Sequence, residues 1–268
     1  MRNAIVGSLD AGELKRLAGT LENAREARAF LRDLNAAFSL PRTSGSFENT
    51  PDWKGGPRKA SLTVNHSEDG EKAAQRAFFL HGEVTIGSQR YGSQRIVLLD
   101  MEFPASPGKN RIDLLGMPDG PSNERGSVRT IIELKYGKEG VSPVSALMQA
   151  LAYCVDVRRH EEQLHLQARH DVSRHEVERF PHDWLPTVIV AANEAYWTNW
   201  RRVLKEQWPC LEDLSTRVAE VLGRQSWVRW ARFPDLPDVQ RREHPTGKYL
   251  PRVRCGDCRW EDLDFAGR

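Results

Sequence analysis

The segment from residue 110 to residue 135 constrains the fold more than any other part of the chain. It contains two apolar strand-like stretches, RIDLL and TIIELK, joined by a polar loop rich in Gly and Pro. Each stretch carries a carboxylate, Asp113 or Glu133, where a core strand normally has an aliphatic residue. A buried carboxylate costs roughly several kcal/mol unless a cation or hydrogen-bond donors meet it. Both acids therefore need compensating partners, which predicts a site rather than a plain core.

Alternation along a strand predicts which side chains share a face. Ile131, Glu133 and Lys135 lie two residues apart and point to one side of their strand. If the two strands pair, Asp113 joins Glu133 and Lys135 near the strand ends. Two carboxylates and an ammonium group form a site for a hard divalent cation, which prefers oxygen ligands. Such an ion activates water and neutralises charge on a phosphate oxygen, and Lys135 would orient or deprotonate that water or stabilise the developing charge.

The same residues resemble a known family motif. Asp113 followed by Glu133-Leu134-Lys135 resembles the D…(D/E)-x-K motif of the PD-(D/E)XK, or restriction-endonuclease-like, nuclease superfamily. The resemblance covers about residues 65 to 208, and Asp113 lies in Arg-Ile-Asp-Leu-Leu without the proline of the full motif. It implies an α/β fold with a restriction-endonuclease-like core, in which helices flank a central mixed β-sheet. It also implies Mg²⁺ or Mn²⁺ as cofactor, with Asp113 and Glu133 as metal ligands.

A helix is predicted directly after the second strand. Ser142 is a suitable N-cap and Pro143 occupies the first helical position. Gln149 and Tyr153 lie four residues apart and therefore share one helix face. This Gln-x-x-x-Tyr resembles the motif of RecB-like and lambda-exonuclease-like members, where Gln supports the active site and Tyr the nucleic-acid path. The alternative is an amphipathic helix whose Gln and Tyr only border the core.

Residues 67–80 favour a first core helix with acidic residues in its first turn. In the resembling family a Glu from this helix often reaches the metal, directly or through water. Glu71 is the closest match, and Gln75 follows one turn later. A solvated first-turn Glu is the alternative for Glu71, and Glu102 competes for the same role from the strand IVLLDMEF.

The remaining elements predict an α/β order. Two β-like segments occur around VTIGSQRY and RIVLLDMEF, within residues 84–103. LPTVIVAAN, residues 185–193, is a continuous apolar strand of the kind that is buried on both faces. A helix is expected over residues 196–208 and another around residues 211–222.

The chain divides into three predicted parts. Residues 1–60 form a helical N-terminal extension and linker, residues 61–208 the nuclease core, and residues 209–268 an irregular C-terminal extension. The helical periodicity of residues 9–38 suits docking on the core, on a partner subunit or on a second copy of the chain. The last part interleaves Arg and Lys with Tyr249 and Trp260, which suits contact with nucleic acid, but seven acidic residues between Asp235 and Asp264 offset much of that charge.

The cysteines and histidines give weaker indications of metal. Cys255-Gly256-Asp257-Cys258 is half of a zinc site, and its other half is missing because the remaining cysteines are Cys154 and Cys210. Four cysteines also suggest the iron-sulfur cluster that some Gln-x-x-x-Tyr nucleases hold, but their spacing does not fit one. Four of the five histidines of residues 157–183, from His160 to His175, lie five apart and do not share one helix face, so a local zinc site is not expected.

Composition limits the class of protein. The chain has 268 residues and a net charge of +2, which suits one domain with extensions and leaves room for a local basic surface. No long apolar run or signal-peptide pattern occurs, so a cytoplasmic protein is expected.

Three functions remain open on the sequence alone. The first is a metal-dependent nuclease acting on DNA, either alone or as the cutting component of a bacterial defence or DNA-processing system. The second is a catalytically inactive nuclease-fold module that binds nucleic acid or scaffolds an assembly. The third is a metal-dependent hydrolase of nucleotides. The Asp113, Glu133 and Lys135 set favours the first, because a scaffold has no reason to keep such costly groups.

Overall fold

The structure of the protein is a computed structural model. It describes residues 61–67, 70–88, 92–104, 111–120, 128–137, 141–160, 185–201, 228–235 and 240–263. Three predicted features lie outside these residues: the N-terminal helix with its linker, the histidine-rich stretch beyond residue 160, and the helix around residues 211–222.

Strands dominate the part of the chain that the structure describes. Its helices are α1 (Glu71–His81), α2 (Pro143–His160) and the 3₁₀-helix Cys255–Cys258, with further helical residues at 194–201. Its strands are β1 (Glu83–Ser88), β2 (Gly92–Pro104), β3 (Arg111–Pro118), β4 (Val128–Lys135), β5 (Leu185–Asn193), β6 (Val228–Phe233), β7 (Gln240–Glu243), β8 (Tyr249–Arg252) and β9 (Arg259–Asp262).

Seven of these strands form one closed mixed sheet in the order β1-β2-β3-β4-β5-β6-β9. Strands β1 to β4 are antiparallel neighbours, whereas β4, β5 and β6 run parallel. The short strand β9 closes the sheet, because it pairs antiparallel with β6 and parallel with β1. Strands β7 and β8 form a separate antiparallel hairpin.

The predicted fold class is therefore wrong. The sequence predicted an open restriction-endonuclease-like sheet flanked by helices, and the structure has a closed seven-stranded barrel with few helices among its described residues. The error arises in the C-terminal part, which was predicted to be irregular. There Val228–Phe233 and Arg259–Asp262 form β6 and β9, and both are short strands without a clean alternation of apolar and polar residues. Pairing of β9 with both neighbours leaves no exposed edge in that sheet.

Helix α1 packs its apolar side into the core enclosed by the strands. Phe78 contacts Phe233 and Trp260 edge to face, with ring centroids 5.1 and 5.0 Å apart. Ala74 and Phe79 belong to the same core cluster as residues from the sheet. Burying one such aromatic side chain stabilises the fold by about 1.5–3 kcal/mol. Gly82 ends the helix in the left-handed conformation, with φ of 92°.

Helix α2 packs on β4 and β5, and every residue of β4 is buried. The helix begins at Pro143 as predicted, and Ser145 N donates to Ser142 Oγ at 3.1 Å. The strand predicted at residues 185–193 is also confirmed as β5. Nowhere in the described ranges does a helix combine the length and apolar character needed to cross a membrane.

Strands β2 and β3 approach each other closely at Gly116. A Cβ placed there would lie 2.6 Å from Ile96 Cγ2 and 3.1 Å from the Val97 carbonyl oxygen. A larger side chain would have to displace one of the strands, since real Cβ atoms almost never come this near. Gly116 therefore sets the position of β3, the strand that carries Asp113.

Candidate active site

The predicted acids lie on adjacent strands. In the antiparallel ladder between β3 and β4, Leu115 faces Ile131 and Leu114 faces Ile132. One step further along this register brings Asp113 opposite Glu133. At this step Asp113 Oδ2 accepts a hydrogen bond from Leu134 N at 2.8 Å, so a side-chain oxygen rather than a backbone carbonyl is the acceptor. The alternation inferred from the sequence thus places the two carboxylates side by side.

Lys135, the last residue of β4, lies among oxygen atoms. Its Nζ donates to Glu133 Oε1 at 2.7 Å and to the Leu134 carbonyl oxygen at 2.7 Å. Glu71 Oε2, from the first residue of α1, lies 3.6 Å from the same nitrogen. The side chains of Lys135 and Glu133 are buried, whereas that of Glu71 is 31% exposed. Solvent therefore reaches the cluster from the Glu71 side.

The electrostatics of Lys135 reflect this crowding of carboxylates. Burial alone would lower the pKa of its ammonium group, but the charges of Glu133, Asp113 and Glu71 outweigh burial and raise that pKa above its ordinary value. Three carboxylates around one ammonium give these four groups a formal excess of negative charge. Such an excess is typical of a place where a further cation binds. We call Asp113, Glu133, Lys135 and Glu71 the carboxylate cluster.

Helix α2 brings the predicted Gln and Tyr to the same place. Gln149 Nε2 donates to Tyr153 Oη at 2.8 Å, and both side chains are buried. Burial, followed by the charge of Glu133, raises the pKa of the Tyr153 hydroxyl. The pair thus lies within electrostatic range of Glu133, and both side chains are part of the buried interior.

The two candidates for the additional acid are separated by the structure. Glu71 lies beside Lys135, as described above, whereas Glu102 pairs with Arg76, whose Nη2 lies 2.8 Å from Glu102 Oε1. The backbone of Glu102 has φ of 47°, a value that L-residues rarely adopt. The ladder between β2 and β3 skips the pair that Glu102 would form with Asp113. The geometry therefore favours Glu71 over Glu102.

Arg76 is a residue that the sequence reasoning missed. Its guanidinium is buried and donates to the carbonyl oxygen of Ser61 at 2.7 Å and to Gln75 Oε1 at 3.1 Å. Gln75 Nε2 in turn donates to the Asp113 carbonyl oxygen at 2.7 Å. Arg76 thus supports the side chain that holds β3 at the site. The available signal was an Arg within the apolar segment AAQRAFFL, which requires a buried partner.

Asn193 at the end of β5 is a second residue that was missed. Its Oδ1 accepts hydrogen bonds from Gly137 N at 2.8 Å and Tyr196 N at 3.3 Å. Its Nδ2 donates to Asp235 Oδ1 at 2.6 Å. One buried amide therefore ties together the chain segments that leave β4, β5 and β6, next to the end of the strand that carries Lys135.

The chemistry of the oxygen atoms suits a hard cation. Within the described part of the chain, no group of three or more His, Cys, Asp or Glu side chains is arranged to hold a metal ion by itself. The Lys135 ammonium nitrogen lies among the oxygen atoms that could bind a metal ion, 2.7 Å from both Glu133 Oε1 and the Leu134 carbonyl oxygen. Carboxylate and carbonyl oxygens are the ligands that Mg²⁺ accepts, usually together with several waters.

The three cysteines that the structure describes are free thiols. Cys255 is exposed and Cys258 is buried at the ends of the same 3₁₀-helix, and Cys154 is buried within α2. Cys210 falls outside the described residues. Comparisons of the chain with protein families, with curated proteins and with solved structures found no match.

Proposed function

We propose that the protein is a metal-dependent nuclease that hydrolyses phosphodiester bonds, with DNA as its substrate. The observation that carries this proposal is the convergence of Asp113, Glu133 and Lys135 at the ends of β3 and β4, with Lys135 Nζ 2.7 Å from Glu133 Oε1. A buried group of this kind is costly for stability alone, and its excess of negative charge suits a bound cation. The Asp…Glu-x-Lys pattern adds the resemblance to PD-(D/E)XK nucleases.

The proposed cofactor is Mg²⁺, or Mn²⁺ in its place. Asp113 and Glu133 would hold the ion, and Glu71 would contribute directly or through water, since its carboxylate lies on the exposed side of the cluster. When bound, the ion would activate water and neutralise charge on a phosphate oxygen. The donor set fits this role because its oxygens are hard ligands.

The remaining roles belong to side chains of this chain. Lys135, kept in its ammonium form by the surrounding carboxylates, orients the attacking water and stabilises negative charge on the phosphate. The hydrogen bond from Leu134 N fixes one oxygen of Asp113, so its carboxylate needs little reorganisation on binding. Gln149 would orient the Tyr153 hydroxyl, to which it donates a hydrogen bond, and the pair would support the cluster from α2.

The proposal extends to the setting of the enzyme. We propose that the protein acts in the cytoplasm, where DNA is accessible. It would work there as a stand-alone nuclease or as the cutting component of a bacterial defence or DNA-processing system. Its assembly with itself or with a partner subunit through residues 9–38 stays a prediction from the sequence.

One observation favours a second function, a nuclease-like module that binds nucleic acid or scaffolds an assembly without cutting. The Lys135 ammonium already contacts Glu133 and the Leu134 oxygen, so part of the cluster is satisfied without any ion. Binding of DNA that is insensitive to Asp113→Asn, with no cleavage under any metal, would identify this second function.

The direct test is metal-dependent cleavage of supercoiled plasmid and linear DNA. We expect cleavage with Mg²⁺ or Mn²⁺, none with a chelator, and a loss of at least about a thousandfold for Asp113→Asn and Lys135→Ala, since several kcal/mol of transition-state stabilisation disappear. Asp119→Asn is the matched control, because Asp119 follows the same strand but pairs with Arg95 at the surface. A folded wild type that cuts neither DNA nor RNA with any divalent metal would overturn the proposal.

A further inference from the structure

The β7–β8 hairpin has two different faces. Tyr249 and Pro251 are buried, and the intervening residues of β8 point to the opposite side because side chains alternate along a strand. The ladder pairs Glu243 with Tyr249 and Arg242 with Leu250. Glu243 therefore shares the buried side, and Arg242 shares the outward side with Leu250.

Three cationic side chains lie on the outward face of the hairpin. Lys248, Leu250 and Arg252 alternate with the two buried residues, and the Lys248 carbonyl oxygen accepts from His244 N at 2.8 Å, which continues the ladder toward the turn. Arg242 and Arg252 are exposed and Lys248 is partly exposed. We call Arg242, Lys248 and Arg252 the basic hairpin face.

The acidic residue of the hairpin lies on the other side. Glu243 Oε2 is 3.6 Å from His66 Nε2, and the His66 ring packs on Tyr249 with centroids 5.1 Å apart. The carboxylate is thus directed to the side of the hairpin that meets the body of the protein. Residues 240–259 contain six Arg or Lys and two Asp or Glu, whereas the whole chain has a net charge of only +2. This excess of Arg and Lys is local, because five further acidic residues lie on either side of the stretch between Asp235 and Asp264.

The buried side of the hairpin packs on α1, the helix whose first residue is Glu71. Tyr249 packs with Val64 and with Ala73, which lies in the first turn of α1 together with Glu71. Val64 and Tyr249 also exchange two backbone hydrogen bonds, of 2.9 and 3.0 Å. These contacts fix the basic hairpin face relative to the end of α1 that contributes to the candidate active site.

We propose that the basic hairpin face binds the phosphate backbone of the DNA whose phosphodiester is cut at the carboxylate cluster. This inference rests on the proposed nuclease function and adds the surface that holds the polymer. Among the described residues of the hairpin, this face has three cations and no acid, which matches a polyanion, and flexible Arg and Lys side chains contact phosphates without distinguishing base sequence. The surface also offsets the repulsion between DNA and the excess negative charge of the cluster.

The expected signature is a salt-dependent affinity that is independent of sequence. Each neutralised phosphate contributes about 0.9 to the slope of log K against log salt, so removal of three contacts lowers that slope by about 3. Affinity at about 0.1 M salt should fall about 10- to 100-fold.

The test measures fluorescence anisotropy of a labelled DNA duplex with the full chain, in a chelator that prevents cutting. The hairpin variant replaces the three cations by Gln, as R242Q, K248Q and R252Q. A second variant replaces both arginines by Lys and should retain most of the affinity, because a Lys ammonium also neutralises a phosphate as a point charge. Folding is verified for each variant by its urea unfolding curve.

The control variant makes the same change in net charge elsewhere on the surface, as R95Q, R201Q and R259Q. These residues are exposed and lie outside the hairpin. Unequal effects, with binding lost only in the hairpin variant, support the proposal. Equal losses in the two variants, or an unchanged affinity of the hairpin variant, overturn it.

A parallel cleavage assay with Mg²⁺ separates this inference from the proposed function. If the wild type cuts DNA and the hairpin variant binds DNA with unchanged affinity, the proposed DNA-binding surface is wrong and the proposed nuclease function stands. If the hairpin variant loses affinity and the wild type does not cut DNA, the proposed DNA-binding surface is supported and the proposed nuclease function is wrong. A wild type that binds no DNA overturns the DNA-binding surface.

Discussion

Two groups of buried charges lie on the same closed sheet, and they are satisfied in different ways. On β6, the Arg229 guanidinium donates to Asp262 Oδ2 on β9, from Nη2 at 3.0 Å and Nε at 3.3 Å, and to Gln94 Oε1 on β2 at 3.0 Å. At the ends of β3 and β4, the Lys135 ammonium instead faces the carboxylates of Glu133, Asp113 and Glu71. The first group has one carboxylate for one cation, whereas the second has three carboxylates for one cation.

The difference separates a structural pair from a site. The Arg229 pair links three strands where the sheet closes, and it is balanced within itself, so it needs no ligand. The carboxylate cluster holds more negative charge than its own ammonium group neutralises, and Glu71 keeps it accessible to solvent. We expect substitutions in the first group to change stability and substitutions in the second to change activity.

The largest effect is expected for Glu133→Gln. Cleavage should fall by at least about a thousandfold, because a metal ligand worth roughly 4 kcal/mol of transition-state stabilisation is lost. The metal-free free energy of unfolding should fall by less than the roughly 3–5 kcal/mol expected when a buried charge loses its partner, since Asp113 and Glu71 still surround Lys135. Cleavage rates and urea unfolding check both parts. A large loss of stability with an unchanged rate per folded molecule would make the cluster structural.

Arg229→Met should have the opposite profile. It leaves the Asp262 carboxylate, 11% exposed, without its cation, which costs about 3–5 kcal/mol of unfolding free energy. The cleavage rate per folded molecule should stay unchanged. Arg232→Met on the same strand is the control, because Arg232 pairs with Glu194 and Glu261 at the surface and should cost less than about 1 kcal/mol. Similar losses for the two variants would remove the distinction drawn for Arg229.

Gln149→Leu sharpens the contribution of α2 to the cluster. It removes the hydrogen bond to the Tyr153 hydroxyl, and the cleavage rate should fall about 10- to 100-fold, as for other groups that orient metal ligands. Tyr153→Phe removes the same bond and should lower the rate by a similar factor. The double variant should be no slower than the slower single variant, because both changes break one interaction. Additive losses would show that the two side chains act separately.

Cys258 affects stability only at alkaline pH and tests the region where β9 closes the sheet. Burial, and then the charges of Cys255, Asp257 and Glu83, raise the pKa of its thiol from 9.0 to about 12. Between these values the unfolded chain releases the proton and the folded chain keeps it, so stability declines as pH rises, by about 1.4 kcal/mol per pH unit for this group. Cys258→Val should flatten the decline measured by urea unfolding above pH 9. Parallel curves for the variant and the wild type would contradict the assignment.

The sequence was sufficient for the local geometry of the site. Asp113, Glu133 and Lys135 follow from the two-residue period of strands, and the pairing of Gln149 with Tyr153 follows from the four-residue spacing of a helix. Both rules need only neighbouring residues. Glu71 was the favoured additional acid by position, and its contact with Lys135 agrees with that preference.

The sequence was insufficient for features that depend on distant contacts. Closure of the sheet requires Ile86 on β1 to pair with Trp260 on β9, which lies near the other end of the chain. The Arg76 partner could not be inferred either, because Glu102 reaches it through an unusual positive φ. Helical and strand periodicity contains no information about such pairings.

The most direct test of the central claim is calorimetric titration of the metal-free protein with Mn²⁺. The carboxylate cluster should give a saturable binding heat in the wild type and in Asp119→Asn, and that heat should disappear in Asp113→Asn and in Glu133→Gln. Equal Mn²⁺ binding by all four proteins, or no binding by a folded wild type, would contradict a cation site between β3 and β4.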